Sequence, residues 1–217
     1  MKKTLILTIL IITMISCSEN QNDKADYANE LTGCLSINDI RILNEACKLF
    51  EEKLKKEYRE GNLTLKYKSY LKDINTLNVS ENFINKNTPN QFIDKFKMSD
   101  TFKKIWLKNS ESYDKEETQE VVIEVVGEDN NQIGNYEEIN YYRVNPNGEY
   151  LNCLLKTNQN KYISEYLKNL KEFWDISPHI LAGGLCNTMT EKEFENKILR
   201  LIIAINFYYE LKMSINE

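Results

Sequence analysis

Apolar residues recur in steps of three and four along most of this 217-residue chain, and that spacing constrains the fold more than any other feature. Ile40, Leu43, Cys47, Phe50 and Leu54 make one stripe, and Leu63, Tyr67, Tyr70, Leu71 and Ile74 make a second. Ile163, Tyr166, Leu167, Leu170 and Trp174 make a third. The last runs through Phe194, Ile198, Leu201, Ile205 and Tyr208, widened by Ile202, Ile203 and Tyr209. A helix with such a face must bury it, so the pattern predicts helices packed on one another. With 7 Gly, 3 Pro and 41% hydrophobic residues, the chain can build a core and is not a turn-dense β protein.

Helix ends are written into the same stretches. Ser36 is placed to cap the first helix, with Asp39 favoured in its first turn and Gly61 as a stop. Glu51, Glu52, Lys55 and Lys56 read as its solvated side. Asn62 can cap the second helix, and Thr88-Pro89 and Asn145-Pro146 pair a cap with proline at the first helical position. A short helix is expected from Ser99 through Phe102, Ile105 and Trp106, and another after Ser177-Pro178. Thr190 to Glu193 is a capping box that should open a long final helix. The exception is 112–144. There Val121 to Val126 is β-branched and Ile139 to Val144 could pair with it, and this ribbon is favoured over a helix from Glu116. The expected fold is mainly α: a single domain of about seven to nine helices, with a small two-stranded ribbon near 120–144.

The first residues carry an address. Met1-Lys2-Lys3 is basic, Thr4 to Ile15 is apolar apart from Thr4, Thr8 and Thr13, and Ser16-Cys17 follows. A charged start, an apolar run of about 12 residues and a small residue at the cut are the parts of a secretory signal. The run is shorter than the ~20 residues a spanning helix needs. Met14-Ile15-Ser16-Cys17 resembles the lipobox of bacterial lipoproteins, with Met14 and Ile15 departing mildly from its usual residues. The resemblance implies cleavage before Cys17 and a lipid on that cysteine, and it divides the chain into a signal peptide 1–16, a lipidated tether 17–33 and a helical domain 34–217. Buried acyl chains, at about 0.8 kcal/mol per CH₂, would hold such a protein on a membrane. Ser18 after the cysteine is compatible with the outer membrane by analogy with well-studied sorting. The Ser-Cys-Ser-Glu junction, with 24 Lys against 4 Arg, is similar to lipoproteins and secreted proteins of Bacteroidota. The face of the membrane is left open.

Beyond Cys17, the cysteines are Cys34, Cys47, Cys153 and Cys186. In an oxidising compartment four cysteines allow two disulfides with three connectivities, and the alternative is free thiols used as small hydrophobes. No pair has Cys-x₂-Cys spacing, so no metal site is expected. A net charge of −5 argues against a nucleic-acid partner. Phosphate loops, nucleophile elbows and His-Glu-x-x-His helices are all missing from the sequence, and no cofactor or catalytic residue is expected. Asp175, Ser177 and His179 read as the start of a helix rather than a triad. Gly183-Gly184 either admits a ligand or packs a helix end, the second being favoured. The tyrosine pairs Tyr141-Tyr142 and Tyr208-Tyr209 are expected in or near the core.

The expected function is therefore that of a lipid-anchored cell-envelope protein that binds a protein partner, as an adaptor, inhibitor or immunity-type factor. Two alternatives stand beside it. One is an envelope enzyme acting on glycan or peptide with two carboxylates about 5–10 Å apart. The other is a small-ligand binding lipoprotein, which needs an apolar pocket of about 300 Å³ or more.

Overall fold

A computed structural model describes residues 26–85, 90–108, 141–174 and 176–215. The leader, Cys17, Thr88-Pro89, Val121 to Val126 and Asp175 lie outside the described residues.

The described chain is mainly helical with one two-stranded antiparallel sheet. Helix α1 spans Ile37–Glu57 and α2 spans Leu63–Asn75. The short helices α3 (Glu81–Asn85), α4 (Asn90–Lys97) and α5 (Asp100–Ile105) follow. Strand β1 (Trp106–Lys108) pairs with β2 (Tyr142–Val144), Trp106 opposite Val144. Then come α6 (Glu149–Thr157), α7 (Lys161–Glu172) and α8 (Pro178–Thr188). A 3₁₀ turn at Glu191–Glu195 leads to a final rod of α9 (Lys197–Ile202), a π-helical stretch Ile203–Tyr209 and α10 (Glu210–Ile215).

The final rod is the centre of the core. All seven residues of its π stretch are buried. A helix apolar all round can only sit inside others. The wider π turn lets two successive tyrosines point inward. Tyr208 stacks on Phe50 of α1 at 5.0 Å between centroids, while the Tyr209 hydroxyl donates to the Ala46 carbonyl at 3.1 Å. Asn206, also buried, accepts from the Tyr150 hydroxyl at 3.3 Å and donates to Tyr166 Oη at 3.2 Å. That hydrogen bonding ties α6 and α7 to the rod.

The end of α1 that the sequence capped is bound into the rest of the fold. Asp39 closes a capping box with Ser36, and its carboxylate also accepts from Thr101 at 2.7 Å and Lys104 at 2.8 Å. Burial by itself would raise the Asp39 pKa. The bonds from Lys104, Ser36 and Thr101 outweigh it and hold the carboxyl at about 2.

Several expectations are corrected. The ribbon's second strand falls where the sequence placed one, but its described partner is Trp106–Lys108, whose first residue was expected to be helical. Helix α5 stops at Ile105 because Trp106 takes an extended backbone and sinks against Phe96 and Phe102. Asn145 to Gly148 forms a turn, with Gly148 N–H on the Asn145 carbonyl, so α6 starts at Glu149 rather than at Pro146. The capping box at Thr190 closes only a 3₁₀ turn, and Asn196 caps the final rod. Glu51 faces inward, accepting from Tyr67 Oη at 3.2 Å and meeting Arg200 at 3.8 Å. Residues 26–33, assigned to the tether, are folded here: Ala28 and Leu31 are completely buried and Ala28 N–H donates to Asn44.

Candidate functional site

The four cysteines of the domain separate into two kinds. Cys34 and Cys153 form a disulfide across 119 residues, with Cα atoms 5.8 Å apart, joining the segment before α1 to α6. Cys47 and Cys186 are free thiols. Complete burial pushes the Cys47 thiol well up, and partial burial raises that of Cys186 despite Lys68 and Lys72 of α2. Both shifts disfavour the nucleophilic thiolate. Among the described residues no group of three or more His, Cys, Asp and Glu is placed to hold a metal, and no helix is long and apolar enough to cross a membrane.

A concavity lies between α7 and α8. Asn160 caps α7 by accepting from the N–H groups of Tyr162 and Ile163, which fixes the helix start. Pro178 opens α8, where its fixed φ suits the first helical position. Helix α8 then packs closely on α2 through Gly183, where a Cβ would lie 2.5 Å from Asn75 Oδ1. Drawn toward α2, α8 leaves a groove of about 370 Å³ on its α7 side. Ile180, Leu181, Gly184 and Leu185 line it from α8, and Tyr162, Tyr166 and Asn169 from α7. Phe173 and Ile176, in the link between these helices, close one end.

Two features make this groove unusual on so charged a surface. Helix α8 carries no Asp, Glu, Lys or Arg in a chain that is 28% charged. Phe173 and Ile180 at the mouth keep 49% and 58% of their surface exposed. Gly184 adds room, since a Cβ there would meet nothing within 4 Å. Polar groups are few: Glu165 at the rim, Asn169, the hydroxyls of Tyr162 and Tyr166, and Thr188, whose hydroxyl bonds the Gly184 carbonyl. Pockets of this size with an apolar lining and a few polar groups are the usual form of small-ligand sites.

Helix α8 borders a second apolar cavity of about 250 Å³ on its other side, lined by Ile74, Leu77, Ser177, Pro178 and His179 among others. Ser177 Oγ and His179 Nδ1 are 2.7 Å apart. That is a nucleophile–base distance, but the helix start gives an oxyanion little to bind. The N–H groups of Ile180 and Leu181 are already turned back to the Ser177 carbonyl, and Pro178 has none. Ser177 is thus the N-cap of α8 through its backbone carbonyl alone, its hydroxyl resting on His179. Leu77 is the other notable residue: it takes φ +57° and is 75% exposed. The N–H groups of Leu77 and Asn78 bond Ile74 and Asp73 carbonyls, the Schellman ending of α2 with leucine where glycine is usual.

The strand residue Arg143 reaches this region. Its guanidinium pairs with buried Glu210 at 3.1 Å and donates to the Ile176 carbonyl, so β2, α10 and the groove's closed end are tied together. Burial drives the Glu210 carboxyl up to about 7, against Arg143 and the Val144 N–H that favour its charged form.

No protein-family model, curated protein or solved structure matches the chain. Of the residues singled out in the sequence, Gly183 and Gly184 bear on the groove, and they divide the two roles: Gly183 packs and Gly184 opens. Glu165, Asn169 and Phe173 were missed. The uncharged run Pro178 to Thr188 marks the facing helix but does not single out these residues.

Proposed function

We propose that this chain is a lipid-anchored cell-envelope protein that binds a small apolar ligand in the α7–α8 groove. The observation that carries the reading is the apolar groove of about 370 Å³ beside an uncharged helix. The lipobox-like Met14 to Cys17 supports the anchor, and the Cys34–Cys153 disulfide accords with an oxidising compartment. The carboxylate-enzyme reading has less support, because Glu165 is the single carboxylate among the groove's described lining residues and that chemistry needs two.

The test is fluorescence of N-phenyl-1-naphthylamine, which brightens in apolar sites. Wild type should bind it saturably and Gly184→Trp, which fills the groove from an open position, should not. Equal binding by both proteins would place the probe elsewhere and remove the reading. The anchor is checked separately: Cys17→Ala should abolish labelling by an alkyne-tagged palmitate, and unchanged labelling would reject Cys17 as the lipid site.

A protein partner is the second reading. Exposed Phe173 and Ile180 on one side of α8, and strained, exposed Leu77 on the other, favour it. A crosslinked pull-down from the envelope that yields one partner with wild type and none with Gly184→Trp, while the naphthylamine fails to bind wild type, would establish this reading over the first.

A further inference from the structure

We propose that the ligand of the α7–α8 groove is an amphiphile with a cationic head, its tail lying between the helices and its head at Glu165. The proposal rests on the groove being a ligand site and names the chemistry of what it takes. Glu165 is the one charged side chain among the described lining residues. It is exposed at the rim and makes no ion pair or hydrogen bond with another described residue. Lys161, one turn before it on α7, holds its ammonium over the Tyr162 ring at 4.6 Å instead. The carboxylate at the mouth is thus available to an incoming charge.

The rest of the lining sorts the alternatives. Ile176, Ile180, Leu181 and Leu185 give a tail an apolar path. Tyr166, the buried tyrosine on the floor, accepts from the Asn206 amide and brings no positive charge to an anion. A carboxylate or phosphate head would meet Glu165 as a like charge, with no lining cation to offset it. A neutral head would find hydrogen-bonding groups such as Asn169 and the Tyr162 hydroxyl but would gain no charge attraction. A cationic head gains the Glu165 attraction.

The experiment uses the full chain and the same naphthylamine probe, displaced by dodecyltrimethylammonium or by dodecanoate, each below its micelle concentration. Dodecyltrimethylammonium should displace the probe at a concentration about threefold lower than dodecanoate, the scale of a partly exposed ion pair. Glu165→Gln should keep probe binding and erase the difference, and raised salt should shrink it in wild type. Equal displacement by the two ions, a preference for dodecanoate, or a preference that survives in Glu165→Gln overturns the cationic head while leaving the groove as a ligand site. Failure of wild type to bind the probe, or equal binding by Gly184→Trp, overturns the groove and the proposal with it. Glu165 is exposed, so its variant is expected to melt with wild type, and that melt accompanies the titration.

Discussion

Gly183 and Asn75 approach so closely that any side chain at position 183 would intrude on the Asn75 amide, while its neighbour Gly184 faces open space. Adjacent glycines on one helix therefore have opposite roles. Gly184→Ala should stabilise the protein by about 1 kcal/mol, the helix-propensity difference. Gly183→Ala gains the same propensity but pushes Asn75 aside, at a cost of about 1–3 kcal/mol. Thermal melts should rank Gly184→Ala above wild type and Gly183→Ala at least about 1 kcal/mol below Gly184→Ala. Equal melting of the two variants would contradict the packing of α8 on α2.

Leu77 stores backbone strain. In the left-handed region a residue with a Cβ costs about 1–2 kcal/mol that glycine does not. Leu77→Gly should therefore raise the melting temperature, because the leucine is 75% exposed and little burial is lost. A fall of more than a degree or two would mean that its contacts with the second cavity outweigh the strain.

Two carboxyls set opposite limits on pH. The Asp39 pKa is depressed, so its contribution is present above about 4 and is lost as pH falls toward 2, on the order of 1–2 kcal/mol. The Glu210 pKa is raised, so the folded state binds the extra proton. Its contribution is full below about 4.5 and is lost as pH rises through 7. Urea melts across pH should show the acid loss vanish in Asp39→Asn and the neutral-side loss vanish in Glu210→Gln.

The disulfide closes a long loop. Reduction, or Cys34→Ser with Cys153→Ser, should lower stability by about 2–4 kcal/mol. Without reductant and with Cys17→Ser, a thiol reagent should modify half-buried Cys186 slowly and Cys47 only on unfolding. Rapid reaction of two thiols in the native protein would argue against both assignments.

Much of this fold could be read from spacing alone, because Leu43, Cys47, Phe50 and Leu54 fall on one side of a 3.6-residue helix and are all buried. The final rod shows where that reading stops. Ile202, Ile203 and Tyr209 were seen only as a wide stripe, since a regular period has no place for the extra residue of a π turn. Trp106 was read as helical for its spacing from Phe102 and Ile105, and only the packing of its ring against Phe96 and Phe102 sends the backbone into a strand. Glu51 looked solvated because its partners, Tyr67 and Arg200, are distant in sequence. The groove was hidden for a similar reason. It arises from the angle at which Gly183 seats α8 on α2, and no local pattern records that angle.

The position of the Cys34–Cys153 bond governs how a pull travels through the molecule. A tug from a membrane-held Cys17 would peel residues 26–33 and then stop at Cys34. From there tension crosses to Cys153 and enters α6, one short loop ahead of the α7 wall of the groove. The intervening chain, with α1 to α5 and the ribbon, is bypassed as a mechanical element. Under the proposed anchor, a strained domain would thus keep α1 to α5 out of the covalent line of tension, with the groove close to the point where the force arrives.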